Sequence, residues 1–266
     1  NLSLGGVGAC SAAYVDAVAQ VNAQGTVVVA SAGNSAGHAV STPANCPGVI
    51  GVAGLRHIGT KVGFSDLGPE ISISAPGGNC VNLGAGSPCL YPIMTTSNSG
   101  TTTPVANSAG GSIYSDAFVA SIGTSFSAPL VSGTVALMLS VQPALTPDEV
   151  RFKIQQTARA FPTPTVDESG GPVAQCVAPT GTDQLQCACK AGLCGTGMLD
   201  ARGAVFAATG DQARIVVTPA APVAGEPVTF DASTSLLPNP VLTYAWTVTS
   251  ADGIVTGLSG DASGPT

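Results

Sequence analysis

The chain has 266 residues, of which only 9% are charged, and its formal net charge is −7. This acidic balance excludes nucleic acid and anionic membranes as expected partners. No uninterrupted apolar stretch approaches the roughly 18 residues of a membrane span, so none is predicted. The length is enough for the core of one domain with an appendage. The 34 Gly and 20 Pro residues predict many tight loops.

The first elements in chain order predict a parallel sheet. Residues 1–4 are a short predicted strand, a helix capped by Ser11 is predicted over 12–24, and a strand follows at 26–31. A strand, a helix and a strand within about 30 residues are typical of a βαβ unit and of parallel pairing. The second strand runs into Ala32-Gly33-Asn34. It therefore presents an Asn amide at the carboxyl end of a strand, where open α/β folds bind ligands.

Two further short strands are predicted in the next part of the chain, over 49–52 and 71–74. Residues 77–119 are rich in Gly, Ser, Thr and Asn, so a surface loop or hairpin is predicted there. Loops of this length are often functional.

The stretch Gly123-Thr124-Ser125-Phe126-Ser127-Ala128-Pro129 leads into an apolar run over 130–141 that predicts a buried helix. Ser125 is then at a helix N-terminus, where unpaired N–H groups and the dipole favour negative charge. Pro129 is expected in the first turn, where its missing N–H does no harm. A hydroxyl there can attack a carbonyl carbon beside donors for the oxyanion. A plain Ser helix cap is the alternative for this residue taken alone.

The next elements close the first predicted domain. Thr146-Pro147-Asp148-Glu149 is a capping box that predicts a helix to about residue 160. A cysteine-bearing insertion over 163–196, a short strand at 198–199 and a helix over 201–208 follow.

After Gly210 the pattern changes to short alternating strands, which predict a β-sandwich. The segment 227–233, followed by Tyr244-Ala245-Trp246, resembles a PKD domain, an immunoglobulin-like module. We therefore divide the chain into domains 1–209 and 210–266, the second cut short and with Trp246 in its core.

Eight cysteines, an even number, indicate an oxidising compartment and secretion. A metal site is the alternative, but the spacing does not match paired Cys-x2-Cys ligands and neither His is near. Disulfides are therefore predicted. The candidate pairs are Cys10–Cys46, Cys80–Cys89 and two pairs among Cys176, Cys187, Cys189 and Cys194.

Three motifs occur in one order, namely Ser3-Leu4-Gly5, Ala32-Gly33-Asn34 and the stretch from Gly123 to Pro129. Together they resemble the subtilisin-like serine proteases, or subtilases, over about residues 1–209. The resemblance implies an α/β fold of three layers around a parallel sheet, here incomplete at its N-terminal side. It also implies an endopeptidase that hydrolyses polypeptide substrates through an acyl-enzyme.

The resemblance assigns roles residue by residue. Ser125 is implied to be the nucleophile, and the Asn34 amide with the Ser125 N–H the oxyanion hole. The other implied substrate-binding residues have four roles. Ser3, Leu4 and Gly5 are the edge strand that pairs with substrate, Ala32 and Gly33 one wall of the S1 pocket, Ser41 its base, and Thr124 the neighbour of the nucleophile. The Thr42–Pro43 bond is implied to be cis. No charged residue falls at these positions, so we expect a neutral or apolar P1 residue.

A Ser nucleophile needs a base and an orienting carboxylate, and in this family the order is Asp, His, Ser. His38 and His57 both come after the expected position and are predicted to be surface or loop residues, and Asp16 is predicted to face solvent. The Asp and His are therefore expected upstream of Asn1, on a missing N-terminal part of the same protease, and the fragment alone is expected to be inactive.

No cofactor is expected for the chemistry, although a structural calcium ion could use Asp66, Glu70 and Asp116. The family's weak cation site often has Asp where this chain has Ser72, which puts that site in doubt. One competing hypothesis is a catalytically silent pseudoprotease or adhesin-like secreted protein. A lipase-type Gly-x-Ser-x-Gly hydrolase is disfavoured because residue 127 is Ser.

Overall fold

The computed structural model describes residues 1–78, 92–115, 122–163, 166–167, 170–210, 215–219, 223 and 226–233. Its helices are α1 (Ala12–Ala23), α2 (Thr124–Val141), α3 (Pro147–Gln156) and α4 (Ala201–Thr209), with a short 3₁₀ turn at Asn107–Ala109. Its strands are β1 (Val28–Ser31), β2 (Val49–Leu55), β3 (Ile71–Pro76), β4 (Thr95–Asn98), β5 (Ser112–Ser115), β6 (Val216–Thr218) and β7 (Thr229–Asp231).

The predicted parallel sheet is confirmed, with the strand order β1-β2-β3. Val28 pairs with Val49, and Gly51 pairs with Ile71. Single parallel bridges extend the sheet at both sides, from Leu2 to Ala30 and from Ser74 to Met198. The predicted strand over 1–4 is thus reduced to one bridged residue, and the segment runs beside β1 without becoming a regular strand.

Helices cover both faces of the sheet. Successive side chains of a strand point to opposite faces, so each strand offers side chains for packing on both sides. Val29, Ile50 and Ile73 pack with buried residues of α2, α3 and α4. Ala30 and Val49 pack on the other face with Val18 of α1. This is a three-layer α/β arrangement, and it places the carboxyl ends of the strands at one edge.

Helix α2 begins at Thr124, six residues before the predicted apolar run. Pro129 consequently lies inside the helix and not in its first turn, where it was predicted. By length and composition α2 could cross a membrane, with a mean hydropathy of 1.4. However, Val131, Val135 and Met138 are buried against the sheet. That packing is typical of the core helix of a globular α/β domain.

Helix α3 has the predicted capping box between Thr146 and Glu149, but it ends at Gln156 and not near residue 160. The reason is a bridge beyond its end: the N–H of Arg159 donates to Met198 O at 2.8 Å, and the N–H of Met198 donates to Arg159 O at 2.8 Å. Tertiary pairing therefore stops the helix. Arg159, predicted to lie on the helix, lies outside it.

The described residues contain three disulfides: Cys10–Cys46, Cys176–Cys187 and Cys189–Cys194. Disulfides were predicted, and the pairing of Cys10 is the one expected. Sulfur atoms of Cys176, Cys189 and Cys194 lie within 4.8 Å of one another, but all three are in disulfides. Cys80 and Cys89 lie outside the described residues.

The segment predicted as loop or hairpin contains an antiparallel hairpin of β4 and β5, in which Thr95 pairs with Ser115. Near the C-terminus, β6 and β7 form a second antiparallel pair, with Val216 opposite Asp231. Trp246 and the predicted sandwich strands beyond residue 233 lie outside the described residues. The domain boundary after residue 209 and the immunoglobulin-like module therefore stay predictions.

Candidate active site

The side chain of Asn34 meets the first residue of α2. The Thr124 N–H donates to Asn34 Oδ1 at 3.0 Å, and the Thr124 hydroxyl donates to the same oxygen at 2.9 Å. Because a backbone N–H can only donate, the Thr124 N–H identifies that atom as the oxygen. The Nδ2 group of Asn34 is thereby left to act as a donor.

Ser125 is the second residue of α2 and is half-buried. Its N–H belongs to the first turn, whose N–H groups have no intrahelical acceptor. Gly123 precedes the helix at a φ of 129°, which favours glycine. A Cβ on Gly123 would lie 3.5 Å from Asn34 Nδ2. The amide of Asn34 and the N-terminus of the Ser125 helix are therefore neighbours at the sheet edge, although 90 residues separate Asn34 from Thr124 in sequence.

Ser3 has a contact that the sequence analysis missed. Its hydroxyl donates to the backbone carbonyl of Ser125 at 2.7 Å. In a regular helix the N–H four residues later would occupy that carbonyl, but residue 129 is Pro and has no N–H. A proline inside a helix that otherwise shows no break was the available signal that this carbonyl needs another donor.

The other predicted substrate-binding residues surround this edge. Gly6 and Thr42 exchange two backbone hydrogen bonds of 2.9 Å, which holds the 3–6 segment beside the 41–43 segment. The Thr42–Pro43 bond is cis, as the family resemblance implied. A surface cavity of about 440 Å³ is lined by Leu4, Gly5, Gly6, Val7, Ala9, Ser11, Tyr14 and Thr42.

Behind the predicted S1 wall lies a carboxyl group that the sequence analysis treated only as a loop ligand. Ala32, Ser41 and Asp66 are buried, and Ser41 N–H donates to Ala32 O at 2.8 Å. A Cβ on Gly33 would overlap Asp66 Oδ2 and Ser41 Oγ. Only glycine allows this approach, so Gly33 brings the Asp66 carboxyl next to the predicted pocket wall.

Asp66 is fully buried, with an exposed fraction of 0%. Its Oδ1 accepts the Ser35 N–H at 2.9 Å and the His38 N–H at 3.1 Å. Among the described residues, Oδ2 has no hydrogen-bond partner. Burial raises the pKa of the Asp66 carboxyl above its ordinary value, while the hydrogen bonds from Ser35 and His38 lower it.

Lys61 lies in the same buried segment as Asp66, and its exposed fraction is also 0%. Its Nζ donates to the carbonyls of Val62 and Gly63 at 3.1 Å and to that of Ser65 at 2.9 Å. Burial lowers the pKa of Lys61 to about 7, and the charge of Asp66 acts in the opposite direction. The amine and these carbonyls define the shape of the loop that leads to Asp66.

The surroundings of Asp66 do not suit the role of calcium ligand that was considered for it. Its Oδ1 receives two N–H donors, and Oδ2 is enclosed next to Gly33. Glu70 is exposed, and Asp116 lies outside the described residues. Ser72 is buried, and its carbonyl accepts hydrogen bonds from Gln155 and Thr196.

The two histidines lie in loops. His38 is half-buried, and its Nε2 pairs with Asp183 Oδ1 at 2.9 Å. His57 is exposed after the end of β2, and Asp16 is exposed on α1, as predicted. His38 is thus engaged by a carboxylate of the cysteine-bearing insertion.

Comparison with known proteins gives a consistent result. The profile described as "Subtilase family" matches residues 1–184. The extracellular protease of Xanthomonas campestris pv. campestris is 38% identical over 210 residues, which are 78% of this chain and 28% of that protein. Subtilisin DY of Bacillus licheniformis is 31% identical over 162 residues, or 59% of this chain and 48% of that protein.

Among solved structures, a protease of Pseudoalteromonas arctica PAMC 21717 superposes with a TM-score of 0.58 at 34% identity, over 78% of this chain and 50% of that one. The prenylagaramide maturation protease PagA superposes with a TM-score of 0.52 at 21% identity, over 79% of this chain and 61% of that one, which shows the fold alone. The chain spans about half or less of each of these relatives except PagA. It has a subtilisin-like α/β fold, and it belongs to the subtilase family.

Proposed function

We propose that the protein is a secreted serine endopeptidase in which Ser125 forms an acyl-enzyme and Asn34 contributes to the oxyanion hole. The observation that carries this proposal is the pair of hydrogen bonds from Thr124 to Asn34 Oδ1. They turn the amide so that its N–H₂ group is the donor next to the N-terminus of the Ser125 helix. A preoriented donor at that place stabilises developing negative charge.

In the proposed reaction, Ser125 Oγ bonds to the carbonyl carbon of the scissile peptide while its proton passes to a histidine base. The negative charge that develops on the carbonyl oxygen is held by Asn34 Nδ2 and by the Ser125 N–H. The C–N bond then breaks, and the amine leaves with the proton from the base. Water hydrolyses the ester by the same steps in reverse.

Polypeptide substrate would lie along Ser3, Leu4 and Gly5 as an additional strand. The P1 side chain would lie beside Ala32 and Gly33, with Ser41 at the base of the pocket and Thr124 next to it. None of these four residues is charged, so we propose a neutral or apolar P1 residue.

The Asp and His of the triad are proposed to lie upstream of Asn1, in the N-terminal part of the same protease. Two observations support this. The chain spans only 28% of the Xanthomonas relative and 50% of the Pseudoalteromonas structure. In addition, Leu130, Leu137 and Val141 of α2 are exposed at 41%, 56% and 46%, an apolar face that further chain would cover. The 266 residues alone are proposed to be inactive.

Secretion is supported by the three disulfides among the described residues and by relatives that are named as extracellular proteases. No cofactor is proposed for the chemistry. The C-terminal residues 210–266 are proposed to belong to a PKD-like module, for which the antiparallel pair of β6 and β7 is the support.

A fluorophosphonate probe tests the proposal on the full-length gene product that contains this chain. We expect labelling and casein cleavage, both lost in Ser125→Ala by on the order of 10⁶ in turnover. Ser140→Ala is the matched control, since Ser140 is exposed near the other end of α2. The 266-residue chain alone should give almost no labelling.

Labelling and cleavage that persist in Ser125→Ala would reject the proposal. A correctly folded full-length protein that neither labels nor cleaves would instead support the pseudoprotease or adhesin-like alternative.

A further inference from the structure

The turn formed by residues 33–38, which carries Asn34, is held by groups that lie away from Ser125. On one side stands Asp66. Its N–H donates to Gly33 O at 3.0 Å, and its Oδ1 accepts the N–H groups of Ser35 and His38 at 2.9 and 3.1 Å. Asp66 therefore bonds to three residues of the turn: Gly33 just before Asn34, Ser35 just after Asn34, and His38 at the end of the turn.

The environment of Asp66 makes these bonds strong. Its exposed fraction is 0%, so water does not compete for Oδ1. Gly33 lacks the Cβ that would overlap Asp66 Oδ2, so the carboxyl lies directly against the turn.

On the other side of the turn stands Gln184, from the cysteine-bearing insertion. Its N–H donates to Ala36 O at 2.6 Å, and its Nε2 donates to Gly37 O at 3.3 Å. A Cβ on Gly37 would lie 2.7 Å from the Gln184 Cβ, so the two backbones are in close contact. The neighbouring Asp183 pairs with His38.

The Gln184 side chain is itself held in place. Its Oε1 accepts the Val177 N–H at 2.9 Å. The disulfide Cys176–Cys187 joins the chain on both sides of it. The N–H of Cys176 also donates to Ala188 O at 3.0 Å. The turn thus lies between a buried carboxyl and a cross-linked segment.

We propose that Asp66 and Gln184 are positioning residues that fix the 33–38 turn and, through it, the amide of Asn34. The inference rests on the proposed oxyanion role of Asn34. Asn34 itself is exposed, and Thr124 bonds only to its side-chain oxygen, so the place of its backbone depends on the turn that carries it. A misplacement of about 1 Å can cost roughly 10²-fold in rate, and a donor for an oxyanion acts only if it is oriented before the reaction.

A double-mutant cycle in the full-length protein tests this. We expect Asp66→Ala to lower kcat for a chromogenic peptide substrate about 10–100-fold with little change in KM. Asp66→Asn should recover most of the loss, since its amide oxygen can accept the same two N–H groups. In an Asn34→Ala background, Asp66→Ala should cost less than twofold more, because the group that it positions is already gone.

Gln184→Ala supplies a second cycle in case Asp66→Ala does not fold, which a thermal melt would reveal. We expect a smaller loss in kcat, again absent in the Asn34→Ala background. Gln186→Ala is its matched control: Gln186 is of the same type and in the same segment, but its Nε2 donates to Thr60 Oγ1 at 3.1 Å, away from the turn. It should keep wild-type kcat.

The outcomes separate the two proposals. If Asn34→Ala lowers kcat and the second substitution multiplies the loss, Asp66 and Gln184 act independently of Asn34 and the positioning role is rejected. If Asn34→Ala leaves kcat unchanged, the oxyanion role itself fails, and the inference fails with it.

Discussion

At the scale of single residues, the carbonyl of Ser125 shows how a helix compensates for an internal proline. Pro129 cannot donate to it, and the Ser3 hydroxyl does so at 2.7 Å. The backbone carbonyl of Ser125, the proposed nucleophile, is therefore hydrogen-bonded by a residue 122 positions away.

We expect Ser3→Ala to lower kcat of the full-length protein roughly fivefold, because one hydrogen bond contributes about 1 kcal/mol. Ser3→Thr keeps a hydroxyl and should keep most of the activity. Steady-state kinetics on a peptide substrate measure both. Equal activity of Ser3→Ala and wild type would show that the carbonyl of Ser125 does not need this donor.

Asp66 should make stability depend on pH. Its pKa is raised in the folded protein by burial, so the folded state binds a proton at a pH where the unfolded state does not. The stability contributed by this group is present at low pH and is lost as the pH rises through the folded pKa. Guanidinium unfolding of the Ser125→Ala protein, with and without Asp66→Asn, tests this between pH 4 and 7.

We expect the free energy of unfolding with Asp66 to fall, relative to Asp66→Asn, as the pH is raised. A constant difference across that interval would mean that the carboxyl titrates at its ordinary pKa.

Lys61 should have the opposite dependence. Its pKa is about 7 in the folded protein, whereas an unfolded lysine keeps its proton up to about pH 10.4. Raising the pH above 7 therefore favours the folded state, by up to about 1.4 kcal/mol per pH unit. Relative to Lys61→Met, the melting temperature of the Ser125→Ala protein should rise between pH 7 and 9. Parallel pH profiles of the two proteins would contradict this.

At the scale of elements, α2 has one apolar face that packs on the sheet and a second apolar face that is exposed. Val131, Val135 and Met138 are buried against the sheet, whereas Leu137 is exposed at 56%. The proposed upstream part of the protease would cover this second face.

We accordingly expect Leu137→Gln to lower the unfolding free energy of the full-length protein by about 1.5–3 kcal/mol, as for a buried leucine. Phe152→Gln is the control, since Phe152 is exposed at 62% on α3, and exposed sites usually change by less than about 0.5 kcal/mol. Chemical unfolding curves measure both. A Leu137→Gln protein as stable as wild type would show that this face stays in water.

The strands and helix ends were largely predictable, because their signals are local. The β-branched run before Ala32-Gly33-Asn34 and the capping box at Thr146 each act within a few residues. The end of α3 was predicted too late, since the bridge between Arg159 and Met198 lies outside the helix and has no local signature.

At the scale of the whole molecule, the parallel sheet follows from the strand, helix and strand predicted over residues 1–31, and the three layers were implied by the family resemblance. The segments that carry Ser3, Asn34 and Ser125 then meet at one edge of the sheet, as the family resemblance implied. The motifs did not indicate which residues hydrogen-bond to the turn that carries Asn34. Asp66 looked like an ordinary loop carboxylate and is fully buried.

The sequence by itself determined the family, the parallel sheet and the presence of disulfides, since motifs, periodicity and composition are read without knowing which segments meet. Only the tertiary structure decided that Ser3 binds the Ser125 carbonyl and that Asp66 and Gln184 hold the turn of Asn34. These contacts join residues 122, 31 and 147 positions apart. Such pairs are created by chain packing, and nothing within a few residues of either partner specifies the other.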